Sequence, residues 1–314
     1  MRLPDFFIVG HSKSGTTALY EMLRQHRQIF LPAAKEPWFF ADELHERTPP
    51  RPEGIPGSLA EYAEWFAGAE SGQRVGEASP QYLRSRTAAG NIARAIPDAR
   101  IIAIFREPAS FLHSLHLQFL QVNIETQGDF ALALALEPSR REGHDLPRHT
   151  YWPTSLLYSE HTRYVEQLTR YLAVFPREQV HVIIYEDFRA DNDGTVREIM
   201  RFLHVDDEAA VTQVQANPTV RARSQLLNEV VHAVGVGRGP ISRTVKGSIK
   251  FITPQAMRRS AFHAVRERIV FAGPSEPDDQ TIAELRVRLK PEVLAFSEYL
   301  QRDLVKLWGY DSVD

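Results

Sequence analysis

Residues 10–17, Gly-His-Ser-Lys-Ser-Gly-Thr-Thr, collect the groups that hold an anion. Glycines at 10 and 15 permit a tight turn whose N–H groups converge at the start of a following helix. Lys13, Ser14, Thr16 and Thr17 add one charge and three hydroxyls. The glycine spacing matches the phosphate-binding pattern G-x-x-x-x-G-K-S/T. The lysine does not match. Thr16 stands where that pattern has lysine, and Lys13 sits inside the loop. The chemistry implied is capture of a phosphate or sulfate group by a cation approaching from an unusual side. The stretch also suits a plain strand-to-helix turn with a threonine cap.

Three further places carry chemistry. ARIIAIF (99–105) runs into Arg106, and Ser110 and Ser114 follow four apart, on one helix face. An arginine at the C-terminal end of a parallel strand stands at the ligand edge of a sheet; it could equally pair with Glu107. AAKEPWFF (33–40) sets Glu36 beside Trp38, Phe39 and Phe40, which could exclude water from a carboxylate; an ion pair of Glu36 with Lys35 or Lys13 is the other use of that residue. HVIIYED (181–187) ends an apolar strand in Glu186 and Asp187, which suits either a metal site or a structural turn. Among the twelve histidines, none shows metal spacing, and His11 is the reserve candidate for a base.

These residues need elements to carry them. DFFIVG (5–10) predicts a buried strand, and TALYEMLRQH (17–26) has apolar residues at 19, 22 and 23, a helical spacing. QIFLP (28–32) predicts a second strand, expected to neighbour the first, so that Glu36 would lie beside the loop. Residues 41–74 read as a surface excursion with one helix at SLAEYAEWFAG. RVGEASPQYL (74–83), ARIIAIF and QVHVIIYEDF (179–188) predict strands, and helices are expected over ASFLHSLHLQFL and around TVREIMRFL. Pro108 suits a first helical turn. KPEVLAFSEYLQRDLVKLW predicts an amphipathic helix starting at its proline. Strand alternating with helix implies an α/β fold with a parallel sheet covered on both faces.

KSGTT (13–17) after an apolar strand resembles the 5′-phosphosulfate loop of sulfotransferases that use 3′-phosphoadenosine-5′-phosphosulfate (PAPS). FREPASFLHS resembles the second signature of that family, a strand ending in Arg with Ser eight residues on. AAKEPWFF resembles the K-E-x-x-F-F segment of its carbohydrate and bacterial branch, where the glutamate is the base. EASPQYL resembles E-K-S/T-P-x-Y, except that Ala78 replaces the lysine, so this segment brings no charge. YEDF resembles the family's YEDL element and makes Glu186 and Asp187 structural. The likeness covers residues 5–205 and a W-G-Y-like tail, whereas 206–270 does not align.

The resemblance implies a P-loop-type three-layer fold with a central parallel sheet flanked by helices. It implies a single domain over 1–314, transferring a sulfuryl group from PAPS to an acceptor hydroxyl or amine with no metal. It assigns Lys13 to the bridging oxygen, with Ser14, Gly15, Thr16 and Thr17 around the 5′-phosphate. Arg106 and Ser114 take the 3′-phosphate and Glu36 the acceptor proton. A kinase using ATP and Mg²⁺, or a nucleotide binder without catalysis, are the alternatives.

Composition bounds the partners. The 314 residues are 43% hydrophobic and 25% charged, and a net charge of −3 argues against nucleic acid. The absence of cysteine excludes disulfides and a thiol nucleophile and suits a reducing compartment. With no signal-peptide pattern and apolar runs too short for a bilayer, a cytoplasmic location is expected. A small-molecule, sugar or lipid acceptor is expected. Between 236 and 270, eight basic residues face one acid, which suits a lid, a seat for an anionic acceptor, a peripheral membrane contact or a solvated face.

Overall fold

The computed structural model describes residues 1–45, 55–147, 152–214, 221–222, 271–272 and 278–313. Five strands, β1 (Phe6–Gly10), β2 (Ile29–Phe30), β3 (Arg74–Ala78), β4 (Arg100–Phe105) and β5 (Val180–Ile184), pair in parallel in the order β2-β3-β1-β4-β5. Successive side chains alternate between faces. Phe6, Ile8, Ile102 and Ile104 pack on one side with Leu19, Leu23, Ile199 and Met200. On the other side Phe7 meets Phe40 and Tyr82, and Phe105 meets Tyr164 and Phe296. Both faces are covered, so the strands read as continuous apolar runs.

Among the described residues the α-helices are α1 (Thr16–Leu23), α2 (Asp42–His45), α3 (Leu59–Glu64), α4 (Ala88–Ala95), α5 (Pro108–Gln121), α6 (Phe130–Ala135), α7 (Glu137–Arg141), α8 (Tyr164–Leu172), α9 (Tyr185–Ala190), α10 (Asn192–Leu203), α11 (Asp279–Leu300) and α12 (Leu304–Leu307). The first-expected strand neighbour is corrected: β3, not β2, lies beside β1. A two-residue strand after a short turn makes an edge, and the longer β3 takes the inner place. The C-terminal helix also departs from expectation. It begins at Asp279 and runs through Pro291, because Leu285 and Leu289 before the proline and Val293 and Phe296 after it are all buried. That burial outweighs the lost hydrogen bond of one interior proline.

The contacts divide the chain into two units. The first, Met1–Leu112 with Tyr158–Pro218 and Ile282–Asp314, holds the sheet. The second comprises His113–Leu157 and Thr219–Thr281. Its described part is organised around a buried bidentate pair, Arg140 to Glu125 at 2.6 and 2.8 Å, and an antiparallel pairing of Arg221 with Ala272. The basic stretch 236–270 lies outside the described residues. Among the described residues no helix is long and apolar enough to cross a membrane.

Candidate anion and transfer site

The loop after β1 is forced into shape by its glycines. A Cβ at Gly10 would stand 2.9 Å from the Ile104 carbonyl oxygen, so only glycine lets β1 run this close to β4. Gly15 caps α1 in the left-handed conformation with φ 83°, packed against Phe188 and Tyr185. Lys13 is left-handed too, with φ 68°. A lysine there costs about 1 kcal/mol or more, and such strain collects at binding sites. Ser14 is fully buried, and its Oγ has no hydrogen-bond partner among the described residues. Buried donors left over at a helix start suit an arriving anion.

Arg106 is joined to this loop. Its Nη1 donates to the Lys13 carbonyl at 2.7 Å, and its guanidinium lies 4.9 Å from the Tyr185 ring centre. Tyr164 Oη donates to the Arg106 carbonyl at 2.8 Å. Arg106 Nε is buried with no partner among the described residues. Burial first, then the nearby Arg106 charge, hold the Lys13 ammonium below the ordinary lysine value. Two cations drawn together in this way favour an anion between them. Ser114 is buried on α5.

Glu107 and Glu186 frame Arg106. Glu107 accepts from the Ser110 N–H at 2.6 Å, capping α5, and from Tyr310 Oη at 2.8 Å. Glu186 accepts from the Trp308 indole at 2.9 Å and from the Glu107 N–H at 3.2 Å, while Arg302 donates to Asp187 at 2.7 Å. The acidic strand end is therefore bound up in fastening the W-G-Y tail to the sheet edge. The arginine does not pair with Glu107, whose carboxylate serves the cap.

Glu36 reaches the loop by another route than a neighbouring β2. The chain turns back after β2 across the end of β3, where the Glu36 N–H donates to the Ala78 carbonyl at 3.0 Å and Trp38 N–H to Ser79 Oγ at 3.4 Å. Glu36 and Trp38 are left-handed, with φ of 65° and 50°. Lys35 Nζ donates to Thr17 Oγ1 at 2.7 Å and lies 3.6 Å from Glu36 Oε1, so the ion pair open to Glu36 is made with Lys35. The Glu36 side chain is 30% exposed. The expected aromatic cover goes elsewhere: Phe39 stacks on Tyr62 at 4.6 Å and Phe40 packs edge-on to Phe7 at 5.8 Å.

That aromatic cluster encloses Glu77, the glutamate that opens EASPQYL and to which that motif assigns no role. Glu77 is buried, and Tyr62 and Tyr82 hydroxyls donate to its Oε2 at 2.7 and 3.0 Å. The Tyr82 hydroxyl also accepts from the Phe40 N–H at 3.2 Å, tying the Glu36 segment down. Strand alternation signals its burial, since Glu77 shares a face of β3 with Val75. Burial, with nearby Glu36 adding to it, pushes the Glu77 carboxyl up to about 7 from 4.5. The folded state therefore favours the proton. Stability from this group is complete below about pH 4.5 and is lost as pH rises through about 7, by about 3 kcal/mol in all. Glu77→Gln keeps an acceptor for both tyrosines. Urea unfolding should show the variant gaining about 3 kcal/mol over the wild type between pH 4.5 and 8. A constant difference would contradict it.

His11 is packing. It is stacked between Phe111 at 4.6 Å and Tyr164 at 4.8 Å. The Gln167 amide nitrogen donates to the Glu160 and His161 carbonyls, which turns its Oε1 to accept from His11 Nε2 at 2.8 Å. Burial chiefly lowers its pKa to about 4. The ring is neutral at pH 7 and its Nε2 proton is committed, while Nδ1 has no partner among the described residues.

The geometry thus joins a glycine-bounded loop to Arg106 at the end of β4 and brings the Lys35–Glu36 pair to the first turn of α1 across β3. A sequence model described as "Sulfotransferase domain" matches residues 3–225, and the chain belongs to that family. It is 24% identical over 274 residues to the membrane-associated sulfotransferase kil1 of Dictyostelium discoideum, covering 65% of this chain and 56% of that protein. It is 30% identical over 205 residues to human heparan sulfate glucosamine 3-O-sulfotransferase 6, covering 64% and 52%. The chain spans about half the length of these two relatives. The crystal structure of a sulfotransferase from Alicyclobacillus acidocaldarius superimposes with a TM-score of 0.69 at 26% identity, over 98% of this chain and 99% of that one.

Proposed function

We propose that this chain transfers a sulfuryl group from PAPS to an acceptor hydroxyl or amine, without a metal. The observation that carries this is the joining of Arg106 to the Lys13 carbonyl at 2.7 Å, which builds one site from the loop and the end of β4. Lys13 offsets the charge that grows on the bridging oxygen, as preorganised donors do at developing oxyanions. Thr16, Thr17 and the Ser14–Gly15 backbone hold the 5′-phosphate. Arg106 takes the 3′-phosphate, and the sequence pattern adds Ser114. In the transfer step the sulfur–oxygen bond to the 5′-phosphate breaks and its electron pair stays on the phosphate oxygen. A new bond forms from sulfur to the acceptor's oxygen, or to its nitrogen where the acceptor is an amine, and the proton displaced from that atom goes to Glu36. Relatives named for heparan sulfate glucosamine and for carbohydrate favour a sugar hydroxyl as acceptor. Residence in the cytoplasm is part of the proposal, supported by the absence of cysteine and testable by fractionating native cells.

Calorimetry with 3′,5′-phosphoadenosine in chelator, beside ATP with Mg²⁺, tests this reading. Metal-free binding of the former is expected, weakened about 100-fold in Arg106→Ala as charge-assisted hydrogen bonds are lost. Preference for ATP with Mg²⁺ would return the kinase. Binding without turnover on a panel of oligosaccharides, lipids and phenols would mark a non-catalytic binder.

A further inference from the structure

Lysine occurs six times in the chain, and two of the six stand at this site. Lys13 belongs to the loop. Lys35 belongs to the segment that crosses β3, and nothing in the sequence pattern assigns it a role toward the donor. Yet its Nζ donates to Thr17 Oγ1 at 2.7 Å, on the first turn of α1, and lies 3.6 Å from Glu36 Oε1. One ammonium therefore stands between Thr17, which the sulfuryl-transfer reading sets at the donor's phosphate, and Glu36, which that reading sets at the acceptor. In an in-line transfer, that interval is where the moving group passes.

Three facts make this more than a surface ion pair. The Lys35 side chain is only 22% exposed, so its charge is not fully screened by water. It is held from several sides, with the Tyr20 ring centre 5.8 Å away in addition to Thr17 and Glu36. The adjoining backbone is bonded to Ala78, at the one corner where the family pattern has a lysine and this chain has none. An ammonium has three donors. With one directed to Thr17 and one toward Glu36, the third suits an oxygen of the sulfuryl group.

Resting on the sulfuryl-transfer reading, we infer that Lys35 is a second catalytic cation, which contacts the sulfuryl oxygens during transfer while Lys13 serves the leaving phosphate. No bond to Lys35 forms or breaks; it supplies charge only. A cation on the moving group and another on the leaving oxygen together cover both places where negative charge is carried.

The test separates the sulfuryl group from the rest of the donor. Dissociation constants for PAPS and for 3′,5′-phosphoadenosine, which lacks the sulfuryl group, are measured by calorimetry on the full chain, its Lys35→Met variant and its Lys35→Arg variant. In Lys35→Met, binding of 3′,5′-phosphoadenosine should stay within about threefold, while the ratio of the two constants moves about tenfold against PAPS, the size of one charged hydrogen bond. Lys35→Arg, which keeps the charge, should hold the ratio near that of the wild type. An unchanged ratio in Lys35→Met overturns the inference, including the case where both nucleotides weaken in parallel because Lys35 only props Thr17. A wild-type chain that binds neither nucleotide would sink the sulfuryl-transfer reading itself, which the unchanged ratio would leave standing.

Discussion

Lys13→Ala is expected to lower sulfuryl transfer by about 10²–10³-fold, the usual loss when one preorganised donor to a developing oxyanion is removed. The physical reason lies in the loop. Lys13 is held left-handed with φ 68°, its carbonyl pinned by Arg106 at 2.7 Å. The ammonium is already partly desolvated and held below the ordinary lysine value by burial and by Arg106. Its charge therefore acts in a setting of low dielectric, where Coulomb terms are larger than in water. The substitution should spare the Arg106–carbonyl bond, because that bond uses the backbone of residue 13. Single-turnover transfer of labelled sulfate from PAPS, with 3′,5′-phosphoadenosine binding measured beside it, is the check. A rate within threefold of wild type would remove Lys13 from the chemistry and leave it a loop residue.

Glu36→Gln should cost about 10²–10⁴-fold in turnover, the range for loss of a general base, with little change in nucleotide binding. The glutamine keeps the size of the side chain and the backbone bond to Ala78, so the segment across β3 should stay in place. The left-handed Glu36, 30% exposed, is held at an interval between water and the loop that a proton acceptor needs. Its ion pair with Lys35, at 3.6 Å and partly exposed, is weak as a source of stability, so a purely structural Glu36 would leave turnover almost untouched. The measurement is turnover with whichever acceptor of an oligosaccharide, lipid and phenol panel is sulfated by wild type. Equal turnover in Glu36→Gln would transfer the role of base to another group. His11 is the reserve for that role: its Nε2 proton is given to Gln167, which leaves Nδ1 as the acceptor nitrogen of a neutral ring.

The two predictions differ in which half of the reaction they disturb. Lys13 acts on the bond that breaks and Glu36 on the proton that leaves. A change of acceptor to one with a more acidic hydroxyl should therefore soften the Glu36→Gln defect and leave the Lys13→Ala defect as it is. Transfer to a phenol and to a sugar hydroxyl, compared in both variants, would show this.

Local patterns were legible in the sequence because their causes are local. The apolar runs of β1 and β4, the glycine-bounded turn between β1 and α1, and the start of α5 at Pro108 all follow from residue type and spacing. So did the placement of Arg106 at a strand end. The structural fate of Glu186 and Asp187 followed from the YEDF pattern, and their bonds to Trp308 and Arg302 show how it is met. What tertiary structure decided is everything that depends on which strand lies beside which. No spacing along the chain says that β3, some 44 residues after β2, enters between β2 and β1. That order sends the Glu36 segment across Ala78, sends Phe39 and Phe40 into the cluster around Glu77, and brings Lys35 to Thr17. Pairing order is set by the total burial that competing arrangements achieve, a sum over residues far apart in the chain, and a linear pattern does not contain it.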